Sequence, residues 1–233
     1  MWSSANYLYF LVAWLIVILV CGVFFILLKK TKKFSKPLLI SIIAILVLFD
    51  VFKYIGEFAG SLSMDLPKSN IYLPLTICFA YTIIIAIFAL TKLNTSLNRN
   101  CFVIALVIGA GNSLLSLVAP DLAMDIPAQV GSILDLWGFI YHYLVVIITF
   151  MLFASKYYKV QFKDIGSTLP FVFIWLCVIA LFTNIYRVNY DMFYLVKQWW
   201  FSIIAIFAYV AIYIGILSLI VCIENKTMKT IKK

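Results

Sequence analysis

Apolar residues fall in seven runs separated by short polar stretches: Tyr7–Leu28, Leu38–Glu57, Ile71–Leu90, Cys101–Val118, Leu136–Ser155, Ser167–Tyr186 and Trp199–Ile223. Each is about the 20 residues a helix needs to cross the hydrocarbon layer, and none shows the short alternating segments of a membrane β-barrel. The pattern predicts an all-α, polytopic membrane protein: one seven-helix transmembrane domain covering residues 1–233. The start, MWSSANYLYF, has no basic segment and no small-residue cleavage site follows the first run, so that run reads as a retained helix rather than a signal peptide.

Composition agrees, with 66% hydrophobic and 12% charged residues and a mean hydropathy of +1.12. Soluble domains carry roughly twice that share of charge. The net charge of +9 does not point to nucleic acid, because the basic residues sit in the loops. The stretches after runs one, three, five and seven hold 14 of the 18 Lys and Arg. By the positive-inside rule these stretches are cytoplasmic, the N-terminus is outside and the chain belongs in the cell membrane. Asp65, Asp121, Asp125, Asp135 and Asp191 fall on the other side, where Trp2, Trp137, Trp199 and Trp200 would form an interfacial belt. Cys21, Cys78, Cys101, Cys177 and Cys222 show no paired spacing, which argues against a disulfide or zinc framework. Ser202, Ala205, Ala208, Ala211 and Gly215 read as a packing stripe on the last helix.

With orientation assigned, polar residues inside the runs acquire depths at about 1.5 Å per residue. His142, Cys78 and Asp50 lie roughly 9–10 Å below the outer edge, Asn112 roughly 12 Å, and Asn184 nearer the surface. Charged or ionisable groups in hydrocarbon are costly and normally face a bundle interior or a water-filled cavity. The layer therefore predicts a polar pocket open to the outer face. Asp50, Lys53, Tyr54 and Glu57 follow helical spacing on one stripe, so Lys53 can pair with either carboxylate, as an internal ion pair or as a substrate-positioning group.

His142 is the only histidine. An imidazole can take a proton from a nucleophile and return it to a leaving group. Cys78 is the only cysteine in the outer half and becomes a nucleophile once its thiolate is accessible; its bland reading is a small core residue. Thr76 is a second nucleophile, about 160° round the helix from Cys78, so one helix does not aim both at one histidine.

The segments IYLPLTICFAY (Ile71–Tyr81), GAGNSLLSLVAPDL (Gly109–Leu122), FIYHYLVVIITFMLF (Phe139–Phe153) and TNIYRVNYDMFYL (Thr183–Leu195) resemble, in order and spacing, the bacterial YwaF-like integral membrane proteins. The eukaryotic relatives of that family are transmembrane acyltransferases that make polyunsaturated ether phospholipids. The resemblance spans helices two to seven and implies a seven-helix fold, with acyl transfer through a Cys/His pair in the eukaryotic branch. It matches His142 to the histidine of the fifth helix and Cys78 to the cysteine ending an LPLHLC-type motif. Thr76 stands where that motif has its own histidine, and Leu75 directly after the proline, where the eukaryotic reactive cysteine sits.

The leading expectation is a phospholipid acyltransferase or transacylase acting on membrane lipids. Cys78 would be the nucleophile and His142 the base; Asn112 would orient the carbonyl or the imidazole, and Asp50, Lys53, Glu57 and Asn184 would bind or orient substrate. Water as acceptor would make the same site a lipid hydrolase. A small-solute transporter or substrate-binding membrane subunit is the rival, with Pro74 and the Gly109/Gly111 pair as places where helices three and four can break. A sensor or scaffold is a third. No nucleotide, cofactor or metal motif is visible.

Overall fold

The computed structural model of the chain describes residues 4–31, 36–64, 77–92, 95–118, 133–155, 157–186 and 199–231. Among these, seven α-helices and no strand are present: α1 (Ser4–Thr31), α2 (Lys36–Met64), α3 (Ile77–Leu90), α4 (Ser96–Val118), α5 (Ile133–Ser155), α6 (Asp164–Tyr186) and α7 (Trp199–Ile231). Each overlaps one apolar run, the first six residues of the third run lying outside the described residues, and three helices run past their apolar limits by five residues or more. α4 begins five residues early because Thr95 caps it: its Oγ1 accepts the Asn98 N–H at 3.2 Å, the bond an N-cap makes to the third helical residue. α2 and α7 continue past the apolar runs to Met64 and Ile231, since the backbone ladder does not need apolar side chains to continue. α4 is continuous through Gly109 and Gly111, so no helix break occurs there; Pro74 lies outside the described residues.

The apolar surface is turned outward. Asp164–Leu181 and Phe201–Lys226 are long and apolar enough to cross a membrane, yet only 28% and 22% of these windows is buried. A soluble core helix would be mostly covered. α1 presents Leu11, Leu15 and Ile18 at 61–65% exposure, a surface that lipid tolerates and water does not.

The packing divides the chain into two compact units: Met1–Lys53 with Asn112–Tyr157, and Tyr54–Gly111 with Tyr158–Lys233. In the first, α1 packs on α5 through buried Val17, Tyr143 and Val146, flanked by Trp14, Cys21 and Ile147. Trp14 meets Tyr143 edge to face with ring centroids 5.7 Å apart, a geometry favoured by the ring quadrupoles.

In the second unit α6 and α7 run antiparallel. Leu176, Ile179 and Ala180 pack on Ile206, and at the other end of the pair the Tyr213 hydroxyl donates to Thr168 Oγ1 at 2.8 Å. The packed face of α7 is Ser202, Ile206, Tyr213 and Leu217, all buried. This corrects part of the small-residue stripe: Ser202 is buried and Ala205 packs against the cluster, but Ala208, Ala211 and Gly215 are exposed, and a Cβ on Gly215 would meet nothing within 4 Å. The larger side chains supply the dispersion contacts that hold helices together where lipid competes equally for apolar surface. The close approach occurs instead at Gly111 of α4, where a Cβ would lie 3.0 Å from Ile216 Cδ1.

The ends of α3 and α4 are joined by Asn98, which is fully buried. Its amide donates to Phe88 O at 2.8 Å and to Thr91 Oγ1 at 2.9 Å, satisfying a carbonyl in the last turn of α3. From Cys101 to Val107 every residue of α4 is buried.

Candidate functional site

His142 lies on α5, nine residues into the helix, and is half-buried. In the same unit, Asn112 comes from the last turns of α4. The His142 Nδ1 stands 3.0 Å from Asn112 Oδ1. An amide oxygen can only accept, so in this arrangement Nδ1 carries the hydrogen and donates it. The neutral ring then holds its lone pair on Nε2. A ring's tautomer is set by the bond its other nitrogen makes, and here a neutral amide makes it. The ring of neighbouring Tyr141 stands nearly perpendicular to the imidazole at 89°, centroids 5.5 Å apart.

The other end of the Asn112 amide is equally informative. Its Nδ2 is buried and has no acceptor among the described residues. A buried N–H left in this state costs about 1–3 kcal/mol. An oxygen acceptor arriving with a ligand would recover that cost. The pair therefore offers a basic nitrogen and a hydrogen-bond donor from two helices, the two functions that deprotonating a nucleophile beside a carbonyl needs.

Asp50, on α2 in this unit, is partly buried, with one carboxylate oxygen shielded from solvent. The backbone places Lys53 and Glu57 on α2, Cys78 on α3 and Asn184 on α6; the side chains of these four lie outside the described part of the structure, as does the whole of Thr76. On α3, Ala80, Tyr81 and Thr82 are 4%, 1% and 5% exposed, so more than one face of this helix is covered. Among the described residues no three His, Cys, Asp or Glu side chains gather in a metal-ligating group.

A second polar cluster, which the sequence reading did not single out, lies in the other unit. Asp164 opens α6 and is buried. Its carboxylate accepts the Tyr158 hydroxyl at 2.9 Å and the Gln161 N–H at 2.7 Å, and its carbonyl accepts from Thr168 Oγ1 at 2.7 Å. Thr168 in turn accepts from Tyr213, so one chain of bonds joins the loop, α6 and α7. Glu224 of α7 takes the Val160 N–H at 3.0 Å. Arg99 sits 5.9 Å over the Tyr158 ring, and Phe102 meets that ring edge to face. Desolvation is the largest influence raising the Tyr158 phenol above its ordinary pKa; the Asp164 hydrogen bond and charge add to it and Arg99 opposes. The signal in the sequence was Asp164 just ahead of an apolar run, a helix-start pattern, but nothing there marked Tyr158 or Tyr213 as its partners.

The model of the TMEM164 family matches residues 1–224. No curated protein and no solved structure matches the chain.

Proposed function

The chain belongs to the TMEM164 family, a family of transmembrane proteins, and from that premise we propose that it is a phospholipid acyltransferase or transacylase working in the outer half of the bilayer. In this reading all seven helices cross the cell membrane, with the N-terminus outside and the C-terminus in the cytoplasm. The observation that carries it is the 3.0 Å bond between His142 Nδ1 and Asn112 Oδ1, which puts the lone pair of the neutral ring on Nε2, together with the buried Asn112 Nδ2, which has no acceptor among the described residues. The motif resemblance and the common depth of His142 and Cys78 lend support.

The reading pairs the Cys78 thiol with His142 Nε2. The sulfur attacks the carbonyl carbon of a phospholipid ester while Nε2 takes the thiol proton. Asn112 Nδ2–H donates to the carbonyl oxygen as negative charge builds on it. The ester C–O bond breaks, the imidazolium returns the proton to the departing lysophospholipid oxygen, and the acyl chain rests on Cys78 as a thioester. An incoming hydroxyl then gives its proton to Nε2 and attacks the thioester, the new ester forms, and the thiol is regenerated. Splitting the transfer into two steps is the gain of covalent catalysis. The donor is a second membrane lipid, and no cofactor enters the cycle.

The test is acyl release and transfer among isotope-labelled phospholipids and lysophospholipids by the purified protein, beside Cys78→Ala and His142→Ala. Labelled chains on new acceptors, abolished by both substitutions, are expected. Loss with His142→Ala alone moves the nucleophile to Thr76 or to water, the latter giving a hydrolase. A folded protein that transfers nothing from any lipid mixture overturns the enzyme reading and favours the solute-binding one.

A further inference from the structure

The loop between α5 and α6 is held in place by its backbone. Val160 is fully buried and its N–H donates to Glu224 Oε2; the Gln161 N–H and the Tyr158 hydroxyl both end on Asp164. With these anchors set, the remaining side chains are turned outward: Lys159, Phe162 and Lys163 are exposed, Phe162 at 54%. Exposed Arg99 lies against the same loop through Tyr158. Both Asp164 carboxylate oxygens accept hydrogen bonds from uncharged donors, the Tyr158 hydroxyl and the Gln161 N–H. The N–H groups of Ile165 and Gly166 at the start of α6 are likewise taken, by Phe162 O and Lys163 O, so the surface offers ammonium and guanidinium groups rather than a helix terminus.

Position completes the picture. One apolar span begins at Asp164 and another ends at Lys226, so this loop stands where hydrocarbon gives way to headgroups. A phenyl ring between two lysines at that boundary matches what a bilayer surface presents, an apolar layer beneath a layer of phosphates.

We propose that Lys159, Lys163 and Arg99 form a binding site for the phosphate of an anionic phospholipid, with Phe162 inserted between its headgroup and acyl chains. The occupant is a lipid rather than a soluble phosphate because the ring and the cations are presented together. On the orientation proposed above the site faces the cytoplasmic leaflet, where basic juxtamembrane groups meet anionic lipid. It is independent of acyl transfer.

The experiment uses the full-length protein in detergent micelles containing equal phosphatidylglycerol and phosphatidylcholine, with retained lipid counted by native mass spectrometry. The wild type is expected to keep phosphatidylglycerol in preference. Lys159→Gln/Lys163→Gln should weaken retention about twenty-fivefold, roughly fivefold per charge, whereas Lys159→Arg/Lys163→Arg should keep it. Phe162→Ser should weaken phosphatidylglycerol retention while inorganic phosphate fails to compete. All three positions are exposed and the anchoring bonds come from the Val160 and Gln161 N–H groups and the Tyr158 hydroxyl, so thermal unfolding should not change. Equal retention of the two lipids, or undiminished retention by the double Gln variant, overturns the proposal. Displacement of the lipid by inorganic phosphate overturns it as well, by assigning the cations to a soluble ligand.

Discussion

Because the chain has a single histidine, the tautomer of His142 can be read without assignment. Protein labelled with ¹⁵N-histidine gives one imidazole, and the two ring nitrogens report directly which carries the hydrogen. The 3.0 Å contact with Asn112 Oδ1 requires the Nδ1–H form, the minor tautomer of free imidazole. Substituting Asn112→Ala removes the acceptor. A net hydrogen bond of about 0.5–1.5 kcal/mol corresponds to a shift of about two- to thirteenfold in the tautomer ratio at room temperature, toward Nε2–H. The measurement is made at a pH where the ring is neutral, on protein in lipid nanodiscs, with Asn112→Asp as a second variant that keeps an accepting oxygen and should keep the Nδ1–H form. If the wild type shows mainly Nε2–H, or if Asn112→Ala leaves the ratio unchanged, Asn112 does not set the tautomer. Nε2 is then not the nitrogen that holds the lone pair, whatever the protein's activity.

Two further outcomes follow from the second polar cluster. Thr168→Val strands the buried Tyr213 hydroxyl and should cost about 1–3 kcal/mol, whereas Tyr213→Phe should cost about 0.5–1.5 kcal/mol; a double-mutant cycle in mixed micelles should show coupling near 0.6 kcal/mol, and strict additivity would mean that the 2.8 Å bond contributes nothing. The raised Tyr158 pKa means that the folded state favours the protonated phenol, so its contribution is complete below the ordinary value of 10.0 and is lost as pH rises through the higher folded value. Unfolding midpoints followed upward from pH 10 should therefore fall more steeply for the wild type than for Tyr158→Phe, and parallel curves would refute the linkage.

The helices were legible because long apolar runs of about helix length were separated by short polar stretches, and the start of α4 was hidden because a Thr95 cap works through a local hydrogen bond that hydropathy does not weigh. The polar residues were legible only in depth. Counting residues from the end of a run fixes how far down a helix a side chain sits, which is how His142 and Asn112 each came to notice. It does not fix the rotation of the helix about its axis. A soluble helix supplies that through its apolar stripe, but a helix that is apolar all round offers no such reference, so α7 was read with all its small residues inward when Ala208, Ala211 and Gly215 face out and Ile206, Tyr213 and Leu217 are buried beside Ser202.

The same reasoning explains which polar residues escaped notice. Asp164, Thr168 and Tyr213 lie in or beside α6 and α7, and none is anomalous alone: an acid at a helix start, a threonine in its first turns and a tyrosine in an apolar stretch are all ordinary. Their meaning comes from an antiparallel pairing that brings residue 213 beside residue 168, a register set by side-chain fit between two apolar surfaces. That register makes each group satisfied: Thr168 accepts from Tyr213 while donating to Asp164 O, leaving both Asp164 carboxylate oxygens to hold the loop. The contrast with Asn112 is chemical. One polar cluster closes on itself and gives rigidity; the Asn112 amide, with an N–H that has no acceptor among the described residues, is open to an oxygen from outside the chain.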